Sequence, residues 1–262
     1  MTTVKDIQDF LDTVAPPYMQ IGQDRIGLNC GHSDRGVDTV LIALDPFDRV
    51  CREAKEVGAQ LLITHHALLY FPGFINDGTM AGKNALYLIE NGIAHLNAHT
   101  NLDCAPGGVN DCLAAALGLA DIQVVAPDGV DSQGRPYGLL RQGTVEAQPL
   151  SRFLANVKRK LHCQGLKYAD GGKPVHKVAV GGGACADFLR QAAQAGCDTF
   201  VTADCSYHDF WEAQHLGVHL IDAGHFHTEN PVCAALAEKI QRQFPAIRVL
   251  LSEKHTDCGK FY

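Results

Sequence analysis

The chain contains no Cys-x-x-Cys pair, although it carries ten cysteines, at 30, 51, 104, 112, 163, 185, 197, 205, 233 and 258. Structural zinc modules are built on such pairs, so that class is excluded. Several of these cysteines (Cys51, Cys112, Cys197, Cys233) fall in apolar patterns, where a reduced, buried thiol is the default. A disulfide framework would need an oxidising compartment that nothing here implies. Long apolar runs are also missing: no stretch approaches the roughly 18 residues needed to span a bilayer. The N-terminus, Met1-Thr2-Thr3-Val4-Lys5-Asp6, lacks a basic-then-apolar signal pattern. The expectation is a cytoplasmic chain with no membrane partner. Positive charge is in short supply, with 22 Lys and Arg against 29 Asp and Glu and a net charge of −7. That argues against a nucleic-acid surface, which normally shows a basic patch.

What is present is an ordinary globule, 46% hydrophobic and 19% charged over 262 residues, enough for one large domain or two intimate halves. Apolar spacing predicts a helix over 4–14, stopped by Pro16-Pro17. A short extended or turn segment, Asp24 to Leu28, precedes a strand over 39–44 that ends at Asp45-Pro46. A helix from about Phe47 to Val57, closed by Gly58, leads into a strand over 59–64 that ends on His65-His66. Strand, helix, strand in this rhythm reads as a βαβ unit with a parallel sheet. Ala67–Gly82 reads as a loop, with Pro72, Gly73, Asn76, Asp77 and Gly78. A helix over 83–91 and a strand over 93–98 then deliver His99 to Asp103, and a helix follows over 109–117. Turn residues multiply between about 120 and 150, where two or three short strands and the seam between halves are expected. The second half reads as strand 177–180, Gly181-Gly182-Gly183, helix 187–195, strand 199–202, helix 208–216, strand 218–222, helix 231–243 and a last strand 248–252.

The two halves repeat each other. Val40, Arg52, Ala54, Gly58 and Thr64 fall 138 places before Val178, Arg190, Ala192, Gly196 and Thr202. The next strands correspond at a spacing of 125, with Gly92, Ile93, Leu96 and Ala98 on Gly217, Val218, Ile221 and Ala223. A period of half the protein implies duplicated α/β lobes rather than a solenoid. The expected organisation is a first lobe over 1–125, with His65-His66 and Asp103, and a linker with second lobe over 126–262, with His225 and Glu229. In open α/β sheets ligands bind beyond the carboxyl ends of strands. His65-His66, His99/Asp103, Asp204 and His225/Glu229 all lie just past such ends, and two lobes facing each other could bring them together.

Histidine, aspartate and glutamate without cysteine form the ligand set of catalytic rather than structural metal sites. His225 and Glu229 are four apart at a strand-to-helix junction, a spacing that can converge on one cation. With His65, His66 and Asp103 there are five donors. That is too many for one tetrahedral catalytic zinc with an open position and about right for two metals about 3.5–4 Å apart that activate a water. The mixed nitrogen and oxygen set suits two divalent ions of Zn, Fe, Mn or Ni without choosing among them. Plainer readings stand beside this: Asp103 as a cap on the turn at Pro106, Glu229 as a carboxylate favoured at a helix start. His99, His208 and His227 are either orienting or proton-shuttling groups or surface histidines. His95, His215 and His219 read as structural. Cys104 and Cys205 flank the expected site, with buried thiol the leading reading. Gly181-Gly182-Gly183 lacks phosphate-loop spacing and reads as a tight turn.

Three segments carry a family resemblance: Thr64-His65-His66, His99-Thr100-Asn101-Leu102-Asp103-Cys104-Ala105-Pro106-Gly107-Gly108-Val109-Asn110-Asp111, and Asp222-Ala223-Gly224-His225-Phe226-His227-Thr228-Glu229. With Asp24 to Leu28 and Tyr207-His208, they make nearly the whole chain resemble the Nif-three-like family of GTP cyclohydrolase I type 2 homologues. The resemblance implies the fold of that family and a dinuclear metal site carried by His65, His66, Asp103, His225 and Glu229. Glu229 and His99 then take the catalytic roles, with Asp204, Tyr207, His208 and Cys104 around the ligands. It also implies a toroidal homohexamer and a small-molecule substrate. The family name implies hydrolytic opening of a guanine ring; competing readings are a phosphoesterase, or a metal-handling or regulatory scaffold without turnover. A triphosphate calls for convergent basic groups, and Arg25, Arg35 and Lys83 are the candidates.

Overall fold

The structure is a computed structural model that describes residues 1–69 and 75–261. Pro72 and Gly73 of the expected 67–82 loop lie outside the described residues. No described helix is long and apolar enough to cross a membrane. By contacts the chain divides into two units, Met1–Leu102 with Cys233–Thr256, and Asp103–Val232 with Asp257–Tyr262.

The first unit is built on a mixed sheet. Strands Thr39–Ala43, Leu61–Thr64 and Ala94–Asn97 lie parallel, in the register Val40 to Leu61 to Ala94. Gly27–Cys30 closes one edge antiparallel to Ala94–Asn97. Side chains alternate across a strand, so Leu41, Ala43 and Leu62 face one way. They pack on Val50, Cys51 and Ala54 of helix Asp48–Glu56 and on Ala85 and Leu88 of helix Met80–Glu90. That second helix begins three residues before the position read from the sequence. Thr79 caps it, its Oγ1 accepting from Gly82 N–H at 3.0 Å, and two nearby glycines hide this start from a propensity argument.

The second unit repeats the arrangement. Val175–Val180, Thr199–Thr202 and His219–Asp222 lie parallel, in the register Val178 to Thr199 to His219. Adding 138, 138 and 125 to Val40, Leu61 and Ala94 gives these same three residues, so the duplication extends to hydrogen-bond register. An antiparallel strand again closes the edge, here Lys167–Ala169 on His219–Asp222. Val178, Val180, Val201 and Ile221 face helices Val109–Leu117 and Leu150–Lys160, packing on Leu113, Phe153 and Val157. Ala179, Phe200 and Leu220 face the opposite side, against Leu189 and Ala213 of helices Leu189–Gln194 and Tyr207–Leu216.

The units differ at the remaining edge. In the second, Arg141–Gln148 adds antiparallel to Val175–Val180, with Ala120–Val124 beyond it. The turn-rich stretch is therefore sheet of the second unit rather than a seam, and the contact division lies at Leu102/Asp103, ahead of it. Asp103 consequently belongs with the second unit. In the first, the same edge is taken by Arg248–Leu251, parallel to Thr39–Ala43 with Val249 opposite Val40. The C-terminal strand, read from the sequence as the last of the second lobe, returns to the first unit. Chain order is a poor guide here because a parallel partner can arrive from any distance along the chain.

Candidate metal-binding groups

In the first unit, the buried strand Leu61–Thr64 ends where His65 and His66 begin. Ala94–Asn97, its parallel neighbour, ends two residues before His99. The three imidazoles gather, with ring centroids 4.9 Å (His65–His66), 5.1 Å (His65–His99) and 5.5 Å (His66–His99) apart. One nitrogen from each lies within 4.8 Å of the others, the spacing of a shared cation.

Each ring is held by an acceptor at Nδ1. His65 Nδ1 donates to Ala98 O at 2.9 Å, His66 Nδ1 to Asp45 Oδ1 at 2.6 Å, and His99 Nδ1 to both oxygens of Asp24 at 2.8 and 2.9 Å. A carbonyl or carboxylate can only accept, so the proton resides on Nδ1 and Nε2 is the basic nitrogen of each neutral ring. Asp24 also accepts from the Thr100 amide and hydroxyl. Burial works to raise the Asp24 carboxyl, but the bonds from His99 and Thr100 outweigh it and hold it well below the usual carboxylate range. Asp45 behaves alike: burial is opposed by hydrogen bonds from His255 and His66, and its pKa lies well below normal. Both remain anionic acceptors at neutral pH.

His95, on the adjacent strand, is a different case. It is fully buried, its Nε2 bonded to Thr64 Oγ1 at 2.7 Å, and burial pushes its pKa down to about 3. It is a neutral structural group.

In the second unit the donors are Asp103, Asp204, His225 and Glu229. Strand Thr199–Thr202 ends just before Asp204, and His219–Asp222 ends just before the short helix His225–Glu229. His225 Nδ1 donates to Asp204 Oδ2 at 2.7 Å, and its Nε2 lies 3.1 Å from Glu229 Oε2. Asp204 adopts φ +54, a left-handed conformation that costs a side-chain-bearing residue roughly 1 kcal/mol or more. That conformation turns its carboxylate onto His225.

Glu229 is 4% exposed, and Gly182 and Gly183 make room for it. A Cβ on Gly183 would land on Glu229 Oε1 and come 3.1 Å from His225 Nε2, and one on Gly182 would come 3.2 Å from Glu229 Cγ. Gly183, at φ +65, donates its N–H to Thr228 Oγ1 at 3.0 Å, and Gly182 donates to Asn110 Oδ1 at 2.7 Å. The same Asn110 donates to Asp103 O at 3.2 Å. Asn110 therefore ties the Asp103 backbone to the glycine loop.

Beneath this lies Arg141, 1% exposed. Its Nε and Nη2 bind Asp111 at 2.8 and 3.1 Å, and Nη2 also donates to Cys104 O and Ala105 O at 3.2 Å. The Pro106–Asp111 turn is thus fixed by one guanidinium. Burial, with Asp103 nearby, pushes the Cys104 thiol up to about 12; burial and Asp222 do the same to Cys205. Both are protonated thiols in this state. Tyr207 is exposed at the start of helix Tyr207–Leu216, its ring edge-on to His208 (5.3 Å) and Trp211 (6.4 Å). His227 donates from Nδ1 to Leu161 O at 3.0 Å.

A family model described as Duf34/NIF3 (NGG1p interacting factor 3) matches residues 2–258. The chain belongs to the DUF34/NIF3 family. Among its NIF3 relatives, a GTP cyclohydrolase 1 type 2 homolog of Clostridium perfringens is 32% identical over 98% of this chain and 99% of its own length. A Streptomyces coelicolor protein of the same description is 36% identical over 98% and 93%. The crystal structure of a Bacillus cereus protein related to NIF3 superposes with a TM-score of 0.94 at 26% identity, covering 100% of this chain and 99% of that one.

Sequence reasoning passed over Asp45 and His255 as site groups, and read the glycine loop of this NIF3 chain as a tight turn. Asp45 could have been found, since it lies past a strand end like the other donors. Nothing local marks His255, and the glycines point to a turn until Glu229 is placed against them.

Proposed function

We propose that this NIF3-family protein is a dinuclear-metal hydrolase whose ligands are His65, His66, Asp103, His225 and Glu229. The observation that carries this reading is the triad His65, His66 and His99, each with its proton held on Nδ1. Metal-binding histidines characteristically donate their second nitrogen to a carboxylate or carbonyl, which fixes the tautomer and raises ligand basicity. The Gly183 cradle supports it from the second unit, because a buried glutamate beside an imidazole is a donor pair suited to a cation.

Two divalent ions of the Zn, Fe, Mn or Ni group would supply Lewis acidity and an activated water. The protein's own contribution begins with orientation: Ala98 O, Asp45 and Asp204 set the rings of His65, His66 and His225. Asp24 holds the Nδ1 proton of His99, leaving Nε2 of His99 to accept a proton during hydrolysis. Glu229, desolvated against the glycine loop, completes the ligand set. The substrate class is a nucleotide such as GTP, as the names of the curated relatives suggest, or a phosphoester. The active form is a cytoplasmic homohexamer, which the family resemblance implies.

A second reading, a metal-handling or regulatory scaffold without turnover, draws on the charge distribution. The chain is net −7, with 22 Lys and Arg against 29 Asp and Glu, a poor match for a polyanionic substrate. Purified protein separates the two. As a hydrolase it binds about two ions per chain and turns over GTP or a phosphodiester, and Glu229→Gln abolishes turnover while the fold persists. Metal uptake with no turnover across the panel favours the scaffold, and fewer than two ions per chain after reconstitution defeats the dinuclear reading.

A further inference from the structure

We infer that His255, on the C-terminal segment that returns to the first unit, is a positioning residue that sets the tautomer and orientation of His66 through Asp45. The metal arm of this inference rests on His66 being a ligand.

Asp45 is bound on both oxygens. Oδ1 accepts from His66 Nδ1 at 2.6 Å, and Oδ2 from His255 Nε2 at 2.9 Å. A carboxylate held at one oxygen can turn about its Cβ–Cγ bond, which has a broad torsional well. A second donor on the other oxygen fixes the plane. It also occupies Oδ2, so that the lone pairs of Oδ1 are directed to His66. The His66–Asp45–His255 chain is thus a carboxylate clamped between two imidazoles, only one of which lies in the histidine triad.

The segment that brings His255 there is anchored at several points. Glu53, in helix Asp48–Glu56, is 5% exposed. It accepts from the Ser252 hydroxyl, from Glu253 N–H at 2.8 Å and from Lys254 N–H at 3.2 Å. A buried carboxylate costs several kcal/mol unless its lone pairs are satisfied, and here three donors from consecutive residues satisfy them. Ser252 Oγ in turn accepts from His255 N–H at 3.1 Å, and Arg49 Nη2 donates to Thr256 O at 2.7 Å. The ring of His255 lies against Phe47, centroids 6.1 Å apart and planes 22° from parallel. Phe47 and Asp45 are two residues apart, so packing and hydrogen bond both locate His255 relative to the same loop. Sealing the sheet edge needs only Arg248–Leu251; the buried Glu53 and the clamp beyond it deliver one imidazole to one carboxylate oxygen.

The test uses full-length protein, wild type, His255→Ala, His255→Leu and His255→Gln. Leucine keeps bulk against Phe47 should alanine fold poorly, and glutamine restores a side-chain donor of similar reach. Long-range ¹H–¹⁵N correlation on metal-free, ¹⁵N-histidine protein reads the His66 tautomer, assigned with His66→Asn. Wild type and His255→Gln are expected to show the Nδ1–H form alone, and the alanine and leucine variants a mixture. Titration with Co(II) or Zn(II) is expected to show about 10–100-fold weaker binding of one ion in the alanine and leucine variants, the usual effect of losing an outer partner, with glutamine close to wild type. An unchanged His66 tautomer in both donor-less variants overturns the inference, as does unchanged affinity in both. Absence of metal binding by wild type would instead defeat the proposed function, and the tautomer comparison would still decide the role of His255.

Discussion

Gly183 and Glu229 occupy each other's space: a Cβ at position 183 would overlap the Glu229 carboxylate and crowd His225 Nε2. Gly183→Ala is therefore expected to expel Glu229 from its place. The φ of +65 adds a backbone penalty of at least about 0.4–1 kcal/mol. Metal content by elemental analysis should fall well below wild type, with a lower urea midpoint. Undiminished metal content would show that the cradle has no bearing on the donors.

Arg141 predicts a large stability loss. Removing a buried guanidinium takes a donor from Asp111 and from the carbonyls of Gly138, Leu140, Cys104 and Ala105, and breaking such pairs costs about 3–5 kcal/mol. Asp111 is a quarter exposed, so Arg141→Met is expected near about 3 kcal/mol by chemical denaturation. In a double-mutant cycle, adding Asp111→Asn should cost much less than it does alone, because the two groups act as a pair.

His95 predicts a pH dependence. Burial depresses its pKa from 6.5 to about 3 in the folded state. Above pH 6.5 it is neutral folded and unfolded, and the full stabilisation is present. As pH falls from 6.5 towards 3, the unfolded chain binds a proton that the folded chain refuses. Stability then declines with a slope approaching about 1.4 kcal/mol per pH unit. Unfolding free energies of metal-free wild type and His95→Gln across this window should converge as pH falls; parallel curves would contradict the buried neutral assignment.

The cysteines predict an order of reactivity. Thiolate is the nucleophile, and burial pushes Cys104 and Cys205 up to about 12. Cys258 is exposed. Mass spectrometry after brief iodoacetamide treatment at neutral pH should find Cys258 modified first and Cys104 and Cys205 protected until the chain unfolds. Early labelling of Cys104 would revive it as a soft ligand or redox group.

Much of the fold is legible in the sequence. Apolar runs of four to six residues ended by glycine or a donor residue mark the parallel strands. The spacings of 138 and 125 carry over to paired registers, and they differ because the connection from Leu61–Thr64 to Ala94–Asn97 is longer than that from Thr199–Thr202 to His219–Asp222. The short helices Thr100–Cys104 and His225–Glu229 are invisible to periodicity, being barely longer than one turn.

By itself the sequence determined the α/β duplication, the placement of donors past strand ends and the absence of a paired-cysteine zinc module. Those properties follow from local pattern, where each residue's side is fixed by its element's period. The tertiary structure alone decided which unit owns the last strand, which acceptor orients each imidazole and why Gly182 and Gly183 stand beside Glu229. Asp45 meets His255 across 210 residues and Arg141 meets Asp111 across 30. Hydrogen bonds of that range leave no local trace, because their partners are chosen by the packing of sheets and not by neighbours in the chain.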